Sequence, residues 1–98
     1  MPVSEYNYYS LEGVTSTGAG RVLGGGGFRN ITVQVEGIGT GTVAVEVSND
    51  GNTWYADPGV TPLTSDGIEE CTPGYRYYRA NCTVYSAGTI YALFHAND

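Results

Sequence analysis

The sequence predicts an all-β fold in which two antiparallel sheets pack face to face as a β-sandwich. Its 98 residues include 15 glycines and 9 tyrosines, and they contain no long run of helix-forming residues. Several segments alternate apolar and polar side chains with a period of two, which is typical of strands with one buried face. Glycine, proline, asparagine and aspartate recur between these segments about every 8–12 residues, a spacing typical of small sandwiches.

The N-terminal part is predicted to differ from the rest. Residues 1–12 are polar and tyrosine-bearing, and they form either a first strand or an arm. Residues 13–27 are rich in Gly, Ser and Thr and end in four consecutive glycines, which indicates a flexible connection or a wide loop. We therefore divide the single domain into an N-terminal segment, residues 1–27, and a β-sandwich core, residues 28–98.

The clearest hairpin of the core runs from Val43 to Trp54. Val43, Val45 and Val47 are predicted to share one face of a strand, and the polar turn that follows contains Gly51, which can adopt a positive φ. Trp54, the only tryptophan, opens the next strand beside these valines. We expect it in the core, with an exposed ligand-binding position as the alternative.

The remaining strands complete a count of seven or eight. One strand precedes the hairpin, with Ile31, Val33 and Val35 on its buried face. The count suits a jelly-roll or immunoglobulin-like sandwich. Besides the hairpin and the N-terminal segment, strands are predicted at residues 28–36, 53–57, 60–64, 68–72, 75–85 and 89–95.

Composition excludes several kinds of partner. The net charge is −6, there is no lysine, and only four arginines are present. Binding to the phosphate backbone of nucleic acids requires clustered cations, as does electrostatic attachment to a membrane surface, so we expect neither. The first residues show no basic and apolar leader, and no run of about 18 apolar residues occurs. We therefore expect no signal peptide and no transmembrane helix.

No pattern of catalytic or metal-binding residues is apparent, and we expect no enzyme activity, cofactor or metal. His95 is the only histidine, and two cysteines with one histidine do not make a zinc site. The turn at residues 49–52 lacks the bidentate acid of a calcium loop. Cys71 and Cys82 are predicted to be free thiols in a reducing compartment, with a disulfide as the alternative.

The strand at residues 75–85 suggests a binding surface. Alternation places Tyr78, Ala80, Cys82 and Val84 towards the core and a row of Tyr and Arg residues outward. Tyr and Arg are enriched at the centres of protein interfaces. Alternatively, some of the tyrosines cover a hydrophobic rim under a neighbouring loop. Lysine usually protects exposed sheet edges, and its absence suggests that partner subunits cover them.

Three motifs carry a family resemblance. The hairpin Ser48-Asn-Asp-Gly-Asn-Thr-Trp54, followed by Pro73-Gly-Tyr-Arg-Tyr-Tyr-Arg-Ala-Asn81 and Gly88-Thr-Ile, resembles small β-sandwich structural proteins of tailed-bacteriophage virions. The resemblance covers roughly residues 28–95. The same hairpin is also similar, more locally, to the discoidin or coagulation factor type C sandwich, whose members bind glycans or lipids.

The first resemblance implies a virion component, above all a capsid cement (decoration) protein made in the host cytoplasm and located on the capsid exterior. Its expected partners are the major capsid protein and copies of itself, as a trimer or dimer. Tail, fibre and baseplate roles are alternatives. So is a carbohydrate-binding module that stacks sugars on Trp54, Tyr55 and Tyr77. The candidate partner-interface residues are Tyr6, Tyr8, Tyr9, Arg21, Arg29, Tyr77 and Arg79.

Overall fold

The structure is a computed structural model that describes residues 5–98. This range contains nine strands and no helix. The strands are β1 (Glu5–Val14), β2 (Gly18–Ala19), β3 (Leu23–Gly24), β4 (Asn30–Glu36), β5 (Thr42–Ser48), β6 (Tyr55–Ala56), β7 (Gly67–Glu70), β8 (Tyr77–Val84) and β9 (Ile90–Asn97).

The strands form two antiparallel sheets that pack together, as the sequence predicts. Sheet A has the strand order β1-β9-β4-β7. Sheet B has the order β2-β8-β5-β6, and β3 also pairs with β8. The inner faces carry the alternating apolar residues of the long strands, which are buried. The largest buried side chains of the core include Tyr78, Phe94, Leu11 and Ile31 of the long strands, Leu23 of β3, and Ile38, which follows β4.

The N-terminal segment is part of this sandwich. From Glu5 onward its lead forms a strand, the first of the two predicted alternatives, and β1 pairs with β9 along its length. A bulge between Tyr9 and Leu11 turns both Ser10 and Leu11 inward. The Ser10 hydroxyl accepts the Ala80 N–H at 2.9 Å, which links sheet A to sheet B. Residues 1–4 of the predicted segment lie outside the described residues.

The glycine-rich connection is more ordered than the prediction of a flexible loop implies. It contributes β2 and β3, which pair with β8 on the side away from β5. Leu23 is buried in the core. Two-residue strands fall below the length at which alternation can be recognised, so periodicity gave no sign of them.

One residue predicted in the core is exposed. Val84 is 50% exposed, although it follows Tyr78, Ala80 and Cys82 in alternation. The register shifts between Thr42 and Val43, which pair with Val84 and Cys82 respectively. An extra residue on β8 at this bulge ends the alternation before Val84.

A buried carboxylate organises the connection between β6 and β8. Asp57 is 2% exposed. Its Oδ1 accepts the Gly59 N–H at 2.9 Å and the Thr72 hydroxyl at 2.6 Å, and its Oδ2 accepts the Thr72 N–H at 2.9 Å. These bonds tie the chain after β6 to the chain after β7.

Both cysteines are free and buried, which confirms the predicted thiols. Burial raises the pKa of Cys71 to about 12, with further contributions from the charges of Asp57 and Glu69. Burial also raises the pKa of Cys82. Since the thiolate is the reactive form, both thiols are protected in the folded protein.

We expect Ellman's reagent at pH 8 to leave both thiols unmodified in the folded protein and to modify both after denaturation in guanidinium chloride. Burial and the raised pKa values slow the reaction in the folded state. The absorbance of the released thiolate measures the extent of reaction. Rapid, stoichiometric modification of the folded protein would contradict the buried positions of Cys71 and Cys82.

Cys71 also makes stability depend on pH. Its pKa rises from 9.0 to about 12 on folding, so between these values the unfolded chain releases a proton that the folded protein keeps. The contribution of Cys71 to the free energy of unfolding is therefore constant below pH 9 and falls by roughly 1.4 kcal/mol per pH unit between pH 9 and 12. Urea denaturation should show a shallower loss in Cys71→Ala. Identical slopes would argue against this titration.

Candidate functional site

The outer face of sheet B carries an aromatic and cationic cluster, here called the tryptophan–arginine face (Trp54, Arg76, Tyr77 and Arg79). Alternation along β8 turns Tyr77 and Arg79 away from the core, and both are half-buried. The pairing of β5 with β8 sets Glu46 directly opposite Arg79. Cross-strand neighbours of opposite charge are close enough to form an ion pair.

The Arg79 guanidinium is held on several sides. Its Nε lies 2.7 Å from Glu46 Oε1, and its Cζ lies 4.2 Å from the centre of the Trp54 ring. Asn81 Nδ2 donates to the second Glu46 oxygen at 3.2 Å. Both members of the ion pair are about one-fifth exposed. The guanidinium is therefore fixed in position before any partner binds.

The prediction that Trp54 belongs to the core is wrong. Trp54 is half-buried on the outer face of sheet B, and the guanidinium of Arg79 packs against its ring. The valines that precede Trp54 in the sequence do not indicate where its side chain lies, because β6 begins only at Tyr55 and Trp54 is outside it. The prediction that some tyrosines cover a rim holds for Tyr75 and Tyr85, which pack against the core.

Replacing Arg79 by alanine should expose the Trp54 ring. We expect the tryptophan emission maximum to shift to longer wavelength and the free energy of unfolding to fall by about 1–3 kcal/mol, because a partly buried charged hydrogen bond is lost. Trp54 is the only tryptophan, so fluorescence reports this site alone.

Arg21→Ala is the matched control. Arg21 also forms one ion pair, with Glu12 at 2.9 Å, and lies 5.7 Å from the Tyr8 ring centre, but it is 59% exposed. We expect no change in emission and a loss below about 1 kcal/mol. An equal spectral shift in both variants would show that Arg79 does not shield the indole.

The outer face of sheet A carries exposed apolar side chains in register. Tyr9 pairs with Leu93, Leu93 with Gln34, and Gln34 with Ile68, so one row crosses all four strands. Tyr91 adjoins the row, with its ring edge-on to Tyr9 at 6.1 Å. We call Tyr9, Leu93, Ile68 and Tyr91 the apolar band. Ile68 is 65% exposed, Tyr9 and Tyr91 are each 39% exposed, and Leu93 is half-buried.

The predicted interface residues divide among several places. Tyr77 and Arg79 lie together on the tryptophan–arginine face. Tyr6 and Tyr8 stack at 5.9 Å on β1, and Arg21 lies over the ring of Tyr8. Tyr9 is separate from both groups and belongs to the apolar band. The exposed Arg29 lies beside the end of β9, where its backbone N–H donates to the Asn97 carbonyl at 3.0 Å.

Sequence reasoning missed Tyr91, Leu93 and Ile68 as surface residues. A signal was available for two of them, because alternation along β9 buries Ile90, Ala92 and Phe94 and must turn their neighbours outward. No such pattern indicates that Ile68 is on the surface, because it lies on a four-residue strand whose residues are all exposed.

Within residues 5–98, no group of three or more His, Cys, Asp or Glu side chains is placed to hold a metal ion. In the same range, no helix has the length and apolar character needed to cross a membrane.

No protein-family model and no curated protein matches the sequence. Among solved structures, the fold is similar to that of YomS, a protein derived from the SPBc2 prophage. The TM-score is 0.84 at 15% identity, and the match covers 100% of this chain and 96% of YomS. The cupin domain of Schizosaccharomyces pombe Cnp3 matches with a TM-score of 0.44 at 17% identity, over 98% of this chain and 53% of that one.

The chain thus shares its fold with a prophage-derived protein, over nearly the whole length of both. At 15% identity the likeness concerns the fold alone. The predicted resemblance to small phage β-sandwich proteins holds at that level.

Proposed function

We propose that the protein is a structural component of a bacteriophage particle, namely a capsid cement protein that binds the outside of the shell and stabilises it. The apolar band carries this proposal, because Tyr9, Tyr91 and Ile68 are exposed apolar side chains on one sheet face, which is a surface suited to burial against another subunit. The fold shared with a prophage-derived protein supports the assignment to phage.

Stabilisation of a shell by this protein is mechanical and requires no catalytic group. Burying the band against the major capsid protein would contribute about 25 cal/mol per Å2 of apolar area, less the costs of association. The tryptophan–arginine face lies on the opposite side of the sandwich. A rigid body with binding residues on two opposite faces can bridge neighbouring subunits.

Charge disfavours contact between two copies through the outer faces of their A sheets. The outer face of sheet A carries Glu5, Glu12, Glu36 and Glu70, as the strand registers place them. The opposite face presents Arg76, whereas Arg79 is already paired with Glu46. A contact between unlike faces is heterologous, and it closes into a ring only where the rotation between successive copies allows closure. The proposed oligomer is a trimer or a dimer.

Antibody labelling of particles tests the assignment. Gold-labelled antibody against the protein is applied to particles released by the source strain and viewed by electron microscopy. Label distributed over the shell supports the cement role. Label confined to the tail, fibres or baseplate overturns the cement role and assigns the protein there, and unlabelled particles overturn a virion role altogether.

Paired variants test the apolar band. Ile68→Ser combined with Tyr91→Ser should abolish binding to shells, as measured by co-sedimentation. Val22→Ser combined with Val84→Ser is the matched control, since these valines are 42% and 50% exposed and lie outside the band. Shell binding that survives the first pair of changes, or is lost equally in both, contradicts a role for the band.

A further inference from the structure

A cleft of about 560 Å3 lies beside the turn between β5 and β6, and neither the apolar band nor the tryptophan–arginine face lines it. Its size is within the range of small-molecule binding sites. The residues that define its chemistry are Asn49, Asp50, Thr53, Tyr55, Pro58 and Tyr75.

Two tyrosines form aromatic walls. Tyr55 pairs with Val47 across the sheet, so its side chain projects on the core-facing side of sheet B, but at the edge it is 69% exposed. Tyr75 packs against the core and meets the ring of Tyr78 edge-on at 6.3 Å. One ring is therefore held in place, and the other offers a large apolar face to solvent.

The turn supplies a carboxylate that is held in position through one oxygen, while its other oxygen remains available to accept hydrogen bonds. Asp50 Oδ1 accepts the N–H groups of Asn52 and Thr53, both at 2.8 Å, and the hydroxyl of Ser48 at 3.0 Å. No hydrogen bond within residues 5–98 uses Oδ2. Bonds from Thr53, Asn52 and Ser48 lower the pKa of Asp50, so the carboxylate stays ionised and accepts hydrogen bonds only.

An amide donor stands next to this acceptor. Asn49 Oδ1 accepts the Arg76 N–H at 3.2 Å, which orients the amide, and no hydrogen bond within the described range uses Nδ2. Gly51 holds the turn in shape with a φ of 78°. The cleft thus combines a free carboxylate oxygen, a free amide N–H group and two tyrosine rings.

We propose that this cleft is a binding site for a neutral pyranose sugar, as a monosaccharide or a disaccharide. A pyranose ring has an apolar C–H face that packs on an aromatic ring. Its vicinal hydroxyl groups both donate and accept, and so match a carboxylate acceptor beside an amide donor. Anionic ligands are disfavoured by Asp50 and by the net charge of −6.

The site differs from a sugar site built on Trp54 and Tyr77, because neither residue lines the cleft. Of the aromatic residues that the sequence suggested for sugar binding, only Tyr55 is retained. The proposal does not depend on the cement role, since a protein in any location could use this cleft.

Titration followed by 1H–15N correlation spectra tests the proposal. The probes are glucose, galactose, mannose, N-acetylglucosamine, lactose, maltose and cellobiose, each added up to high millimolar concentration. We expect at least one sugar to shift the amide signals of residues 49–56 and 75. A panel without any shift, or shifts confined to other parts of the chain, overturns the proposal.

Three variants sharpen the test. Tyr55→Ala should weaken binding at least about tenfold, because it removes a ring that no other side chain covers. Asp50→Asn keeps Oδ1 as an acceptor for the turn but removes the charge, and should also weaken binding about tenfold. Tyr6→Ala, an exposed tyrosine on β1, should bind like the unmodified protein.

The spectra of the variants also report whether each is folded. A folded Tyr55→Ala variant with unchanged affinity overturns the proposal. An arginine-rich peptide added as a separate probe distinguishes a cation site. If that peptide shifts the cleft signals and no sugar does, the cleft recognises cationic side chains and the sugar assignment is wrong.

Discussion

Replacing Asp57 by alanine is expected to lower the free energy of unfolding by about 3–5 kcal/mol. Asp57 is buried and accepts three hydrogen bonds, from the Gly59 N–H, the Thr72 N–H and the Thr72 hydroxyl. Alanine accepts none of them, and each donor that loses its partner costs about 1–3 kcal/mol where water does not replace it. This loss is a large fraction of the total stability of a small domain.

Urea denaturation at neutral pH measures the effect, and Thr72→Val is the companion variant. Valine keeps the backbone N–H bond to Asp57 and removes only the hydroxyl, so we expect a loss of about 1–2 kcal/mol. If Asp57→Ala destabilised the protein no more than Thr72→Val, the carboxylate would not organise the connection between β6 and β8 in the way described.

Tyr78→Ala should be the most damaging change in the core, with a loss of about 3–5 kcal/mol. Tyr78 is completely buried, and its ring meets the rings of Tyr75 and Phe94 edge-on. Its hydroxyl donates to the Thr72 carbonyl at 2.7 Å and accepts the Tyr75 N–H at 3.2 Å. Alanine would remove all of these contacts and leave a cavity between the sheets.

Tyr78→Phe separates the contribution of the hydroxyl to stability from that of the ring. We expect a loss of about 1–3 kcal/mol, because the Tyr75 N–H and the Thr72 carbonyl both lose a partner. Tyr85→Phe is the matched control, since its hydroxyl donates to the Gly88 carbonyl at 2.7 Å in an exposed position. The control should lose less than about 1 kcal/mol of unfolding free energy. Equal losses in the two variants would show that burial of the Tyr78 hydroxyl does not increase its contribution to stability.

The parts of the fold that were predictable from sequence are those with regular alternation. Val43, Val45 and Val47 are buried as the period of two indicates, and Gly51 adopts the predicted positive φ. The pattern reports which face of a strand is apolar, and a sandwich buries that face. The fold class follows from several such strands together.

The candidate sites were less predictable because they depend on pairings between distant segments. Trp54 lies on the outer face of sheet B because Arg79, on another strand, offers its guanidinium as a partner. The apolar band becomes visible only when the register of four strands is known. The cleft likewise joins the turn after β5 to Tyr75, which follows it by more than twenty residues in sequence.

The pairing of β1 with β9 has a consequence for how the chain folds. The first and last strands are neighbours, with Glu5 opposite Asn97. During synthesis, β1 therefore cannot pair until residues 90–97 have left the ribosome. The tyrosines of β1 stay exposed until then. Such long-range closure slows folding and favours association of incomplete chains. Because Glu5 and Asn97 are neighbours, a circular permutant that joins residues 5 and 97 by a short linker and opens at an exposed turn should preserve the sandwich.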